Sequence, residues 1–244
     1  MSDHETIRVN FGRPHPVFPL SGVTLLPHAV AALFIFEARY RQMVEDVLDT
    51  TGQIAMAAYD EAAGGVGSKA SLPIRSVVCL GQIVQHERHE DGTYHILLQG
   101  ICRARIAEEL LPEDDPLSGK LYRRAILEPL HDEDEGMEML DSRREEITEL
   151  LESERLAGLP AVQQVRKQLS MGYEVLPTPV LMDIVALSLL TVVDEHELRN
   201  KLLEEPNAGR RADLMIAELK RIDATLRIAE LQFDPEAPKG ISWN

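Results

Sequence analysis

Residues 17–48 constrain the fold of this chain more than any other stretch, because they join two extended runs, a proline-marked turn and an amphipathic pattern in one apolar path. Pro19 and Pro27 fix the backbone φ angle and disfavour a helix around residues 23–26, which we predict to form a short strand. Residues 29–36 are almost wholly apolar and end at Glu37, an acidic residue suited to the first turn of a helix. We expect this stretch to lie along the seam of a hydrophobic core.

A helix follows Glu37, because apolar residues recur there at the spacing of one helical face. The predicted buried stripe consists of Tyr40, Met43, Val44, Val47 and Leu48. Charged residues occupy the positions between them, and Thr50, Thr51 and Gly52 end the pattern. The spacing therefore predicts one amphipathic helix early in a chain that is otherwise β-rich up to residue 130.

Further strands are predicted from short apolar runs bounded by turn residues. They cover residues 53–59, 77–86, 93–99, 101–111 and 121–127. Asp91-Gly92 between the second and third of these runs is a strong hairpin signal, because glycine tolerates a positive φ. Several mostly antiparallel strands with one early helix fit a small barrel, which closes on itself and so hides its strand edges.

After Pro129 the pattern changes to a helical one. An acidic joint at residues 131–136 precedes about five amphipathic segments, which predict a helical bundle. Thr178 with Pro179 is a typical helix start, Asp194 followed by Glu197 resembles a capping box, and Asn207 is a plausible cap for the longest helix. Residues 234–244 have no period and hold Trp243, the only tryptophan.

Three segments carry a resemblance to a known family. Residues 18–40 read FPL, a turn and then LLPHAVAALFIFEARY; residues 79–106 read CLGQIVQHERHEDGTYHILLQGICRARI; the helical half, residues 179–222, is a more diffuse match with the Arg210-Arg211 pair in a similar place. In this order and spacing they resemble the substrate-binding N-terminal domain of Lon-type ATP-dependent proteases. The resemblance implies an α+β protein with a PUA-like pseudo-barrel at 10–130, an α-helical bundle at 131–233 and a tail at 234–244.

Composition excludes several classes of function. The formal net charge is -16 and no basic cluster exceeds a pair, which argues against nucleic-acid binding. No run approaches the length of a membrane span and the N-terminus has no signal-peptide core, so we expect a cytoplasmic protein that does not bind membranes. Cys79 and Cys102 are the only cysteines, and both are expected to be inert residues in strands.

The sequence offers no convincing chemical site. The glycine-rich run at residues 64–69 lacks the spacing of a phosphate loop, and Ser68 beside Lys69 resembles the Lon Ser-Lys pair only superficially. Acidic residues 132–135 lack the glycine and the spacing of a calcium loop and are expected to be a solvated linker. We therefore predict no catalytic residue, no metal and no cofactor.

The polar hairpin is the nearest approach to a metal site. Its candidate ligands are His86, His89 and His95 with Glu87 and Glu90. Their spacing matches no zinc signature and no cysteine is near, so a solvated turn is the favoured interpretation. Among possible functions, an enzyme with an unrecognised site would be sought at this hairpin.

The loop at residues 59–72 is the predicted place for a partner. It is long and glycine-rich, and Tyr59, Val66 and Leu72 near Lys69 combine apolar anchors with a charge. A plain linker with Tyr59 and Leu72 buried at its ends is the competing interpretation. We expect no ATPase or peptidase domain of the Lon type in this chain, so the leading predicted function is a non-enzymatic module that binds a protein partner or unfolded polypeptide, as an adaptor or regulator in quality control. Binding of RNA through the barrel is a third, disfavoured class.

Overall fold

A computed structural model describes residues 8–60, 63, 72–114, 116–132, 137–170, 176–190 and 196–232, and structural statements refer to these residues. The elements in chain order are β1 (His15–Leu20), β2 (Val30–Ile35), α1 (Ala38–Leu48), β3 (Gln53–Ala58), β4 (Val77–Arg88), β5 (Tyr94–Leu110), β6 (Arg124–Pro129), α2 (Met137–Glu152), α3 (Glu154–Ala157), α4 (Pro160–Ser170), α5 (Thr178–Leu190), α6 (His196–Glu204) and α7 (Ala208–Gln232). A 3₁₀ turn at Pro116–Ser118 precedes β6. The predicted α+β class is confirmed.

The chain divides into two compact units, the first comprising Met1–Glu133 with Val193–Pro206 and the second Asp134–Val192 with Asn207–Asn244. This division differs from the expected domains in one element, since α6 belongs with the β-rich unit although it lies within residues 131–233. Arg75 holds α6 there through Glu197 at 2.6 Å and Glu204 at 3.0 Å. The limits of independently folding domains stay a prediction.

The first unit is built on one mixed six-stranded sheet in the order β2-β5-β4-β3-β1-β6. It closes because β6 pairs with β1 at one end and with the second half of β5 at the other. The first half of β5 pairs instead with β2, so the long β4/β5 hairpin extends beyond the closed part. The predicted pseudo-barrel is therefore present, with β2 attached outside the ring. The expected strands at 93–99 and 101–111 form one strand, β5.

The barrel interior is filled by small and branched side chains. The buried cluster consists of Val17, Ala55, Ala57, Val78, Leu80, Ala104, Ala125 and Leu127. All six residues of β3 are buried, and two of them, Ala55 and Ala57, belong to this cluster. The predicted stripe of α1 is confirmed at Tyr40, Met43, Val44 and Val47, and the Tyr40 ring packs 4.5 Å from that of Phe18.

Residues 23–26 do not form the predicted strand. Leu25 and Leu26 are buried, but this segment crosses β5 at Gly100, where a Cβ atom would lie 2.1 Å from the Leu26 carbonyl oxygen. The His28 N–H donates to the Gly100 carbonyl at 3.0 Å, and the Gly100 N–H donates to the Ala29 carbonyl at 2.8 Å. The close approach at Gly100 therefore still allows these backbone N–H and carbonyl groups to be hydrogen-bonded. His28 makes the turn with a φ of 64°.

The second unit contains α2, α3, α4, α5 and α7, and each of these helices contributes buried apolar side chains. Buried side chains include Ile147 and Leu151 of α2 with Met215 and Leu219 of α7. Asn207 caps α7 as predicted, since its side-chain oxygen accepts from the Arg210 N–H at 2.8 Å. None of the described helices is both long and apolar enough to span a bilayer.

Candidate functional site: the edge strand and its groove

The outer face of β2 exposes a row of apolar side chains, which we call the edge strip: Val30, Ala32, Phe34 and Phe36. Alternation along an extended chain puts these residues on one side, while Ile35 between them is buried. Val30, Phe34 and Phe36 are 46%, 51% and 61% exposed, although each is a large apolar residue. The rings of Phe34 and Phe36 lie 6.0 Å apart, so they form one continuous apolar surface.

An open groove of about 350 Å³ runs beside the edge strip across three strands. Its rows follow the sheet register, because residues directly opposite each other share a face. Phe34 lies opposite His95, which lies opposite Glu87, and Ala32, Leu97 and Gln85 form the next row. The groove is thus lined by apolar side chains of β2 and β5 and by polar side chains of β4 and β5.

The far edge of β2 is the feature that distinguishes this face. Among the described residues β2 pairs only with β5, which places it at an end of the sheet order. An edge strand directs alternate N–H and C=O groups away from its sheet, where they can pair with another extended chain. Apolar side chains and available backbone groups therefore lie together along β2.

The loop predicted to bind a partner is described only at residues 59, 60, 63 and 72. Val66 and Lys69 lie outside the described residues, so their role stays a prediction. Tyr59 pairs with Ile74 in an isolated bridge, and the Leu72 carbonyl accepts from the Arg123 guanidinium at 2.6 Å. Both Tyr59 and Leu72 are partly buried. The ends of the loop are thus tied to the barrel, as the linker interpretation expects of them.

A second cleft of about 370 Å³ adjoins Tyr59 within the first unit. Its wall includes Thr24, Arg75 and His196, and the Thr24 hydroxyl donates to the Asn200 side chain at 2.6 Å. Arg75 is engaged by the two glutamates of α6 that fasten the helix. This cleft is lined by groups that already hold α6 in place, so the edge strip is the stronger candidate for binding.

The hairpin residues considered as metal ligands separate into two sets. Glu87, His89 and His95 come together on one face, with ligand atoms all within 4.8 Å of one another. His86 lies opposite Ile96 and so on the other face, and Glu90 belongs to the turn. All three residues are among the five candidates from the sequence, and the strand register shows which of the five share a face.

The cysteines occupy ordinary strand positions. Cys79 is fully buried, and burial raises the pKa of the partly buried Cys102 thiol. A raised pKa leaves little thiolate, which is the reactive form. Both cysteines therefore have the environment of inert residues.

Comparison with known proteins agrees with this architecture. A family model for the substrate-binding domain of ATP-dependent protease La (LON) matches residues 15–221. The chain belongs to the LON substrate-binding domain family. Its Lon protease relatives include those of Xanthomonas oryzae pv. oryzae, 27% identical over 105 residues, and Azospirillum brasilense, 31% identical over 103 residues. These alignments cover 43% and 42% of this chain but only 12% of each protease.

Solved structures show the same fold within the LON substrate-binding family. The N-terminal domain of Mycobacterium avium complex Lon protease has a TM-score of 0.60 at 16% identity, covering 85% of this chain and 98% of that domain. The Lon N-terminal domain protein from Xanthomonas campestris has a TM-score of 0.52 at 18% identity and covers 84% and 98%. The matched region is thus a substrate-binding domain of the LON type.

Sequence reasoning missed the edge strip of this LON-type domain. Residues 29–36 read as one apolar run, for which the sequence predicts a place in the core. The sequence does contain an indication of it. Phe34 and Phe36 are two residues apart in an extended run, so their side chains lie on the same face of the strand and Ile35 lies on the other. Only the exposure of Phe34 and Phe36 in the structure shows that this second face is not buried by another described element.

Proposed function

We propose that this chain is a non-enzymatic module that binds extended apolar segments of polypeptide along β2, as an adaptor or regulator in protein quality control. The observation that carries the proposal is the edge strip, which lies on a strand edge that no described strand pairs with. Membership of the substrate-binding family supports a protein ligand, and the edge strip supplies a way to hold one. The predicted loop at residues 59–72 is kept as a second contact region.

Strand addition explains what the edge strip can recognise. A peptide that pairs with β2 gains backbone hydrogen bonds whatever its sequence, and its side chains select it by fitting apolar surfaces at alternate positions. The six residues of β2 span roughly 20 Å, enough for a segment of similar length. Folded proteins hide such segments, so a module of this kind would favour unfolded or partly unfolded chains.

Charge supports the same partner class. The net charge of -16 repels the phosphates of nucleic acids, and the groove beside the edge strip contains the acidic side chain of Glu87. An apolar segment flanked by basic residues would therefore suit this face better than an acidic one. A non-enzymatic role fits the matched family region, which is the substrate-binding domain.

The test compares two double variants for binding to fluorescent, reduced and alkylated casein, measured by fluorescence anisotropy. Phe34→Ser with Phe36→Ser removes the large apolar side chains of the edge strip. Each ring can lose roughly 100 Å² of exposed surface on binding, worth about 2.5 kcal/mol at most. Since binding recovers only part of such area energies, we expect affinity to fall by about tenfold to a hundredfold.

Leu117→Ser with Leu121→Ser is the matched control, because these residues are 99% and 57% exposed in the same unit and belong to the segment before β6, outside the edge strip. The control should bind casein as the unchanged protein does. Equal binding by the edge-strip variant, with unchanged circular dichroism, would contradict the proposed surface. ATP-dependent release of peptides from casein by the pure protein would contradict the non-enzymatic role.

A further inference from the structure

We propose that Glu87, His89 and His95 form a binding site for a divalent transition-metal ion of the zinc class at the tip of the β4/β5 hairpin. The inference does not rest on polypeptide binding, although Glu87 and His95 also line the groove beside the edge strip. It begins from two imidazoles that already meet, with His89 Nε2 3.0 Å from His95 Nδ1. The ligand atoms of all three residues lie within 4.8 Å of one another.

The hairpin holds the three residues on one face for reasons of register. Glu87 and His95 are directly opposite each other in β4 and β5, and His89 follows Glu87 by two residues. The turn between them is closed by backbone bonds from His89 N–H to the Thr93 carbonyl at 2.9 Å and from Gly92 N–H to the His89 carbonyl at 3.0 Å. The three residues are thus brought together by the pairing of β4 with β5, and not by the regular spacing along the chain that a zinc motif shows.

The separation of the two nitrogens suits a shared metal ion. With metal to nitrogen bonds of about 2.0 Å, two imidazole ligands on one ion lie about 2.8 Å apart at a right angle and about 3.3 Å apart at a tetrahedral angle. The observed 3.0 Å lies between these values. Binding would replace the hydrogen bond between the rings, which needs only rotation of side chains that are exposed or partly exposed.

Two histidines and one carboxylate make a recognised zinc ligand set, completed by water in an open position. Imidazole also suits nickel and copper ions, whereas magnesium and calcium prefer sites made of oxygen ligands. The site is therefore expected to select ions of the zinc class over calcium. Because protons compete for the imidazole nitrogens, binding should weaken as the pH falls.

The surroundings favour a cation. The Phe34 ring lies 4.8 Å from the His95 ring and 6.5 Å from the His89 ring, so it limits their movement on one side. Arg88 is on the other face of β4, where it lies 3.3 Å from Glu45. Arg41 reaches the turn only at the Asp91 carbonyl, to which it donates at 3.3 Å. The Asp91 carboxylate adds negative charge at the tip.

Isothermal titration calorimetry of the tag-free protein with Zn²⁺ at pH 7.5 tests the site. We expect one ion per chain with micromolar affinity and no heat from Ca²⁺. His89→Gln and His95→Gln should each weaken binding by at least about tenfold. Glu87→Gln should also weaken it, since the carboxylate charge is lost.

His86→Gln is the control, because this histidine is exposed on the same strand but on the opposite face. It should leave Zn²⁺ affinity unchanged. Nuclear magnetic resonance of the imidazole nitrogens should show that Zn²⁺ shifts the His89 and His95 signals and leaves the His86 signals in place. The absence of saturable Zn²⁺ binding would overturn the proposal, as would equal affinity in a variant lacking both His89 and His95.

Discussion

Replacing Gly100 with alanine should destabilise the first unit strongly, because a β-carbon has no room there. That added atom would lie 2.1 Å from the Leu26 carbonyl oxygen and 2.9 Å from the Leu26 carbonyl carbon. An ordinary carbon-oxygen contact is about 1 Å longer than the first of these distances. The obstacle is backbone, so a side-chain rotation cannot relieve it, and residues 26–29 must move away from β5.

The size of the effect follows from what that movement disturbs. The two backbone hydrogen bonds between Gly100 and residues 28 and 29 are worth about 1 kcal/mol each. Leu25 and Leu26 are each 2% exposed, and partial loss of their burial adds roughly 1 to 2 kcal/mol. We expect the free energy of unfolding to fall by about 3 to 4 kcal/mol, which lowers the melting temperature of this unit by roughly 10 °C.

Differential scanning calorimetry can measure this change, with Gly158→Ala as the matched control. Gly158 has a φ of -73° and a ψ of -19°, and its added β-carbon would lie no closer than 3.4 Å to any neighbour. That substitution should be neutral or stabilise by up to about 1 kcal/mol, since it restricts the unfolded chain. A fall of less than about 2 °C for Gly100→Ala would show that residues 26–29 do not cross β5 so closely.

Three further outcomes are expected. Burial lowers the pKa of His15, so the unfolded chain binds a proton more readily and stability should decrease as the pH falls through about 6.5. Between pH 7.5 and 5.5 the melting temperature of His15→Gln should therefore fall by less than that of the unchanged protein. An equal fall in both proteins would contradict this. Asn207→Ala should cost about 1 kcal/mol in chemical denaturation by removing the cap of α7, whereas Asn207→Asp should retain most of it. Val66→Ser with Lys69→Ser should keep the melting temperature and weaken casein binding; unchanged binding would remove this loop from the interface.

Elements with a strong local signal could be predicted from the sequence. The stripe from Tyr40 to Val47 defines α1 because burial of one helical face requires that spacing. The hairpin follows from Asp91-Gly92, where the observed φ of Gly92 is 79°. Asn207 was predictable as a cap because asparagine is among the residues preferred at the start of a helix. In the structure its side chain accepts from the Arg210 N–H, three residues later. The family resemblance also rested on such local segments, and the match at residues 15–221 confirms it.

Only the tertiary structure determines which side chains are exposed for binding and which side chains come together. The apolar run at residues 29–36, which the sequence places in the core, forms the strand at one end of the sheet, and the structure leaves Phe34 and Phe36 exposed. Likewise, Glu87 and His95 are eight positions apart in the chain and meet because strand register places them opposite each other. Local periodicity is set by the geometry of one element, whereas exposure and convergence depend on contacts between elements distant in sequence, which no single segment encodes.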